Sequence, residues 1–163
     1  LNIGYYLLVS SIIFYLEAID LITLNDVFIE YLLTVLIITF LLNLSNKVYL
    51  GDAGSYLLGF TFSIFLIKIY LENQQISPFF IIVLLWYPSY ETLFSIIRKN
   101  IMHKSPMKPD SDHLHQQIFY ILNKKNNLNK YFANLLSANV INLYNLIIFI
   151  ISVNFFYSSQ IYP

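Results

Sequence analysis

Residues 53–71 read AGSYLLGFTFSIFLIKIYL, an apolar run in which Lys68 is the only charged residue. A helix needs about 17 to 25 such residues to cross the hydrocarbon core of a bilayer. Four further runs approach or reach that length, and they cover residues 3–23, 27–44, 78–97 and 138–156. The sequence therefore predicts an all-α fold, a polytopic membrane helical bundle with five transmembrane helices.

The composition supports a membrane chain and excludes several other classes. Of the 163 residues, 58% are hydrophobic and 11% are charged, which leaves too little polar surface to cover a soluble fold of this size. Nine basic residues balance nine acidic ones, so the chain has no electrostatic footprint for nucleic acid. The absence of Cys excludes disulfides, thiolate metal sites and thiol nucleophiles. The remaining candidates act within or on a lipid bilayer.

The basic residues are distributed unevenly between the two membrane faces. Lys and Arg near span ends are retained on the cytoplasmic side. One of them, Lys47, lies between the second and third spans, and Lys68 lies toward the opposite face. The other seven lie in the long polar loop 98–130: Arg98, Lys99, Lys104, Lys108, Lys124, Lys125 and Lys130. We therefore expect both loops to face the cytoplasm.

The motif GDAGS lies where the third span begins on this predicted cytoplasmic side. Gly51 and Gly54 permit close backbone approach and positive φ, and a helix N-terminus presents free amide donors to an anion. The carboxylate of Asp52 repels a phosphate unless a divalent cation bridges them, and Mg²⁺ binds through one or two carboxylates plus substrate phosphates. The motif thus fits a metal ion with a diphosphate. Alternatively, Asp52 caps the helix and the glycines allow helix packing.

All three histidines lie in the segment HKSPMKPDSDHLHQQIFYIL, which covers residues 103–122 of the polar loop. Its prolines keep the first half extended. A short amphipathic helix follows, which Asp110, Ser111 or Asp112 can cap. Its apolar stripe would consist of Leu114, Ile118, Ile121 and Leu122. This loop is the only one long enough to carry chemistry.

Two of these histidines, His113 and His115, are candidates for binding. On a helix they would diverge by about 200° around the axis, which disfavours a shared metal ion, whereas an extended pair would allow one. Imidazole beside Lys104 and Lys108 can donate hydrogen bonds to phosphate or nucleotide oxygens near neutral pH. We therefore favour substrate contact. The alternative is a surface helix with incidental histidines.

The segments GDAGSYLLGF, WYPSYETLFSIIRK and SPMKPDSDHLHQQIF, in this order, resemble the polyprenyl-phosphate N-acetylhexosamine-1-phosphate transferases, a bacterial family. The resemblance covers nearly all of the chain and is greater to the N-acetylglucosamine branch. It implies transfer of a sugar 1-phosphate from a UDP-sugar to undecaprenyl phosphate or another polyprenyl phosphate, with release of UMP. It also implies Mg²⁺, with Mn²⁺ as the alternative, and a site at the cytoplasmic face of the bacterial inner membrane, in cell-envelope polysaccharide synthesis.

The resemblance also implies roles for individual residues. The catalytic residues that the resemblance implies are Asp52, His113 and His115, with Asp52 as the Mg²⁺ ligand. The expected substrate-binding residues are Gly51, Gly54, Ser55, Lys108, Asp110, His113 and His115. Gln116 stands where the family motif continues with another His. Glu91, three residues after Pro88, matches an acidic position in the family, and its role is either functional or hydrogen bonding between helices.

Two family features do not occur in this chain. Family members carry an adjacent Asp pair and an Asn/Asp-Gly segment in earlier cytoplasmic loops, and the chain contains neither Asp-Asp nor Asp-Gly. We therefore expect residues 1–163 to be the C-terminal part of one integral membrane transferase domain, inactive without its N-terminal half. The alternatives are a fragment of a transporter or permease and a non-catalytic membrane scaffold. Transporters place ionisable groups near the bilayer midplane, whereas the polar clusters here gather at one membrane surface.

Overall fold

The structure is a computed structural model that describes residues 1–24, 27–103, 113–125 and 127–156. These residues form seven α-helices and one π-helical turn, and none of them forms a β-strand element. The helices are α1 Asn2–Ala18, α2 Phe28–Leu44, α3 Gly51–Glu72, α4 Pro78–Leu84, α5 Trp86–Ile101, α6 Leu114–Tyr120 and α7 Lys130–Val153, and the π-helical turn Ile121–Lys125 follows α6. The predicted all-α fold class is confirmed.

Two of the described helices are long and apolar enough to cross a membrane. With 22 and 24 residues, α3 and α7 are about 33 and 36 Å long at a rise of about 1.5 Å per residue, against a hydrocarbon core of about 30 Å. Helices α4 and α5 together provide a third candidate span if they form one broken span. Helices α1 and α2 are apolar but have only 17 residues each. The helices support the membrane bundle, and five complete crossings stay a prediction.

The first predicted span, 3–23, is too long at its C-terminal end. Helix α1 ends at Ala18 because Asp20 takes a positive φ of 58°. The Leu21 N–H then donates back to the Leu16 carbonyl at 3.0 Å, which is the hydrogen bond of a Schellman cap. Hydropathy alone does not reveal this stop, since the residues beyond it include further apolar side chains.

The fourth predicted span, 78–97, is not one continuous helix. It is broken at Leu85, with φ −113° and ψ 6°, and the helix resumes as α5. The physical cause is Pro88. It has no N–H to donate to the carbonyl of the residue four positions earlier, and its ring clashes with that carbonyl. The carbonyl in question belongs to Leu84, and it accepts a hydrogen bond from the Tyr5 hydroxyl at 2.8 Å.

The polar loop predicted over 98–130 is shortened at both ends by helix. Helix α5 continues to Ile101, and α7 begins at Lys130 and not near residue 138. The prediction of a late start was wrong because polar residues such as Asn134 and Ser137 lower hydropathy without breaking a helix. The predicted short helix in the loop is present as α6, none of whose residues is buried.

The chain divides into two compact units. The first comprises Asn2–Leu84 and the residues from Leu146 onward. Its core is aromatic and aliphatic and includes Tyr5, Tyr6, Val9, Ile13, Leu16, Leu36, Phe62, Leu66, Leu84 and Phe149. The rings of Tyr6 and Phe62 stack with centroids 4.6 Å apart. A Cβ at Gly59 would lie 3.2 Å from the Tyr6 hydroxyl, so glycine allows α1 and α3 to approach closely.

The second compact unit comprises Leu1 and Leu85–Asn145, which include α5, α6 and the first part of α7. The rings of Trp86 and Tyr144 meet edge to face with centroids 5.9 Å apart, which joins α5 to α7. Asn145 is fully buried, and its side-chain amide has no hydrogen-bond partner among the described residues. This second unit carries the histidines.

Candidate functional site

The two glycines of the GDAGS motif are needed at their positions for different structural reasons. Gly51 begins α3 with φ +63°, a backbone conformation that L side chains rarely adopt. At Gly54 the limit is space, because a Cβ there would lie 2.8 Å from the side chain of Leu50. Between them these glycines let the chain turn sharply into α3 with Leu50 folded over its first turn.

Asp52 lies exposed in the first turn of α3. The N-cap residue of this helix is Leu50, so the alternative that Asp52 caps the helix was wrong. Among the described residues the Asp52 carboxylate has no hydrogen bond and no ion pair. Ser55, in contrast, donates to the Gly51 carbonyl at 2.9 Å and accepts from the Asn2 amide at 2.9 Å. Ser55 thus ties α3 to α1, whereas no described residue pairs with the Asp52 carboxylate.

As a metal ligand, Asp52 can supply one carboxylate. Within the described ranges no group of three or more His, Asp or Glu side chains could hold a metal ion. Mg²⁺ is commonly held by one or two carboxylates and completes its octahedral shell with water and substrate phosphates. The residues present are therefore compatible with Mg²⁺ as a partial ligand set, to which Asp52 would contribute one carboxylate.

In the second compact unit, the carboxylate of Glu91 forms three hydrogen bonds. Its Oε2 atom lies 2.8 Å from Nδ1 of His113. Its Oε1 atom accepts from the Tyr87 hydroxyl at 3.1 Å and from the Leu114 N–H at 3.2 Å. Only 15% of the Glu91 side chain is exposed, against 31% of His113. This carboxylate therefore joins α5 to the beginning of α6.

The imidazole rings of His113 and His115 stack on each other. Their centroids are 5.8 Å apart and their planes differ by 13°. The divergence of about 200° expected for a helical pair does not occur. His113 lies before α6 with φ −68° and ψ 150°, so the extended alternative is the one that the structure has. The two rings therefore form one surface on the loop.

His113 is also the N-cap residue of α6. Its N–H donates to Oε1 of Gln116 at 3.2 Å, and the Gln116 N–H donates to the His113 carbonyl at 2.9 Å. Gln at the third helical position suits this reciprocal arrangement, which gives Gln116 a local structural role. The prediction that one of the three preceding polar residues provides the N-cap was wrong. Asp110, Ser111 and Asp112 lie outside the described residues, as does the predicted substrate contact Lys108.

Burial lowers the pKa of His115 below its ordinary value. The charge of Glu91 acts in the opposite direction, and positive charge on His113 lowers the pKa further. The neutral imidazole of His115 is therefore favoured near pH 7. A neutral ring donates at one nitrogen and accepts at the other, so His115 is suited to hydrogen bonding with a ligand more than to neutralising its charge.

The prediction from sequence left Glu91 without an assigned role. The available signals were an ionisable residue in an apolar run and a tyrosine, Tyr87, four positions earlier on the same helix face. Its partner His113 is 22 residues away, so no local pattern could pair the two. The structure adds Glu91 to the candidate site on geometric grounds.

Two curated proteins share sequence with the chain. It is 36% identical over 74 residues to the probable undecaprenyl-phosphate N-acetylglucosaminyl 1-phosphate transferase of Bacillus subtilis, which covers 44% of the chain and 20% of that protein. It is 35% identical over 69 residues to the undecaprenyl-phosphate alpha-N-acetylglucosaminyl 1-phosphate transferase of Thermotoga maritima, which covers 42% and 22%. The family resemblance is confirmed over this part of the chain. The chain spans about a fifth of the length of these relatives. No family model and no solved structure matches it.

Proposed function

We propose that this chain is the C-terminal part of a transferase that moves a sugar 1-phosphate from a UDP-N-acetylhexosamine to undecaprenyl phosphate or another polyprenyl phosphate. An oxygen of the lipid phosphate attacks the β-phosphorus of the donor, the bond from that phosphorus to the bridging oxygen breaks, and UMP leaves. The sequence similarity to two curated transferases carries this proposal. The open carboxylate on α3 and the ordered histidine pair support it.

Phosphoryl transfer depends on positioning and charge neutralisation more than on covalent help from the protein. Asp52 would hold Mg²⁺, or Mn²⁺ in its place, and the bound cation would neutralise charge on the diphosphate. His113 and His115 would form hydrogen bonds with the UDP-sugar close to its diphosphate. Gly51, Gly54 and Ser55 would shape the turn beside it, and Lys108 and Asp110 complete the proposed substrate contacts.

The proposed location is the cytoplasmic face of the bacterial inner membrane, where a UDP-sugar is available. Eight of the nine Lys and Arg residues lie in the two loops assigned to that face. A reporter fused after Lys104 should therefore behave as cytoplasmic, and one fused after Pro163 as external. An external reporter at Lys104 would contradict both the orientation and the donor.

A transporter fragment would instead place ionisable groups near the bilayer midplane. Helices α3 and α7, the two described helices that are each long and apolar enough to cross a membrane, do not follow that pattern. The charged residues of α3 are Asp52 at its beginning and Lys68 and Glu72 in its last five residues, and the only charged residue of α7 is Lys130, its first residue. Charges at helix ends suit chemistry at the membrane surface.

The proposed reaction can be measured with the complete transferase chain in proteoliposomes that contain undecaprenyl phosphate. With radiolabelled UDP-N-acetylglucosamine and Mg²⁺, we expect label to enter the lipid fraction with one UMP released per labelled lipid. Chelation of divalent cations should stop both. Residues 1–163 alone should insert into membranes but show no transfer activity. The proposal would be contradicted if the complete chain folded but transferred no label from UDP-N-acetylglucosamine or UDP-N-acetylgalactosamine.

A further inference from the structure

The two oxygens of the Glu91 carboxylate have different partners. Oε1 accepts from the Tyr87 hydroxyl and from the Leu114 N–H, so this oxygen alone already links α5 to the start of α6. Oε2 makes a contact of a different kind, because it lies 2.8 Å from the ring nitrogen Nδ1 of His113. A purely structural link between the helices does not require that second contact.

The contact through Oε2 determines which ring nitrogen of His113 carries hydrogen. An ionised carboxylate can only accept hydrogen bonds, so Nδ1 must be the protonated nitrogen. The other nitrogen, Nε2, then accepts a hydrogen bond when the ring is neutral and donates one when the ring is charged. The ring plane is fixed by the same contact and by stacking on His115. About a third of the His113 side chain is exposed, which leaves it accessible to a ligand.

We propose that Glu91 is a positioning residue that fixes the tautomer and ring orientation of His113, so that Nε2 of the neutral ring accepts a hydrogen bond from a hydroxyl or amide N–H group of the donor. This inference rests on the proposed function. Glu91 itself touches neither substrate, and it acts through the ring. A partner that orients a functional imidazole through its second nitrogen is a general device in enzymes, because the wrong tautomer offers the wrong hydrogen-bonding group to the substrate.

The first test measures the tautomer directly and needs no turnover. In the complete chain labelled with ¹⁵N-histidine, the His113 signals are assigned by their loss in His113→Ala. Glu91→Gln keeps a carbonyl oxygen for Tyr87 and Leu114, but its amide donates to Nδ1 and moves the ring proton to Nε2. We expect the two ring-nitrogen shifts of His113 to exchange. Unchanged shifts in folded Glu91→Gln would overturn the proposal.

The second test is a double-mutant cycle on transfer kinetics. Glu91→Gln should lower kcat on the order of 10²-fold, the order of cost of losing one well-placed hydrogen bond, because Nε2 then presents an N–H where the substrate needs an acceptor. The change in KM for the UDP-sugar should be smaller. In a His113→Ala background the same change should cost nothing more. Losses that multiply would show that Glu91 acts independently of His113 and would overturn the proposal.

Two further variants separate positioning from folding. Glu91→Asp keeps the carboxylate charge, so it should retain part of the activity that Glu91→Gln loses. If Glu91→Gln folds poorly, Glu91→Asp replaces it in both tests. Glu72→Gln is the matched control, because it neutralises a helical carboxylate that pairs with Lys68 and should leave kcat unchanged. If the parent chain releases no UMP, the proposed function fails, and the ¹⁵N shifts still decide the role of Glu91.

Discussion

The two carboxylates of the candidate sites, Asp52 and Glu91, differ in how the protein uses them. Asp52 is exposed and has no partner in the described part of the chain, whereas Glu91 is mostly buried and accepts three hydrogen bonds. An ionised carboxylate has about four lone-pair positions. Those of Asp52 are available to a ligand, while most of those of Glu91 are already committed to the protein. The first arrangement suits binding, and the second suits orientation.

The largest effect that this comparison predicts is at Asp52. In the complete chain, Asp52→Asn keeps the size and polarity of the side chain but removes the charge that would offset Mg²⁺. We expect transfer activity to fall at least about 10³-fold, beyond the cost of one hydrogen bond. The folded yield should not change, since no described contact depends on this carboxylate. The measurement is UMP release across a Mg²⁺ titration.

A matched control for Asp52→Asn is Glu30→Gln, which removes an acidic charge from the first turn of α2. This control should retain full activity. Near-normal turnover of Asp52→Asn at saturating Mg²⁺ would remove the distinction between the two carboxylates, since Asp52 would then have no role in binding the cation.

The next effect concerns the stacked histidines. His113→Ala and His115→Ala should each lower kcat/KM for the UDP-sugar, and His113→Ala should cost more, on the order of 10²-fold, because only His113 is held by Glu91. The Mg²⁺ requirement should stay the same. If calorimetry shows that either substitution abolishes cation binding, the two rings are metal ligands, and the assignment of binding to Asp52 alone is wrong.

A smaller effect is expected from the turn that presents Asp52. Gly51→Ala forces an L side chain into φ +63°, which costs about 1 to 2 kcal/mol of stability. In Gly54→Ala the new Cβ would lie 2.8 Å from Cδ1 and 2.9 Å from Cγ of Leu50, so the effect depends on how far that side chain can move. Thermal unfolding of both variants in one detergent tests this order. Equal stability of Gly51→Ala and the parent chain would show that the strained turn is not needed.

The helices and the GDAGS junction could be predicted because both depend on local sequence. Apolar runs mark the spans, and a glycine beside an acidic residue at the start of a span marks the turn. The break at Leu85 was accessible in principle, since Pro88 removes a hydrogen bond four residues earlier. The helix stop after Ala18 was not, because it depends on a single positive φ at Asp20.

The histidine site shows where local patterns stop being informative. The geometry of His113 and His115 follows from one backbone angle at the helix boundary, which a 3.6-residue period does not contain. The pairing of His113 with Glu91 joins residues on two different helices, and only tertiary structure brings them within 2.8 Å. Sequence therefore identified the histidines and Glu91 as candidates but did not pair Glu91 with His113.

The smallest predicted effect is a pH dependence of stability that arises from His115. Burial lowers the pKa of His115 in the folded chain, so the unfolded chain binds more protons in the range below about pH 6.5, the ordinary histidine value. The stability that the neutral ring contributes is fully present above that pH and is lost as the pH falls toward the lowered folded pKa. Between about pH 7.5 and 5.5, Tm should therefore decrease less in His115→Gln, which has no titrating ring, than in the parent chain. Parallel slopes for the parent chain and His115→Gln would mean that the ring of His115 is not held neutral by the fold.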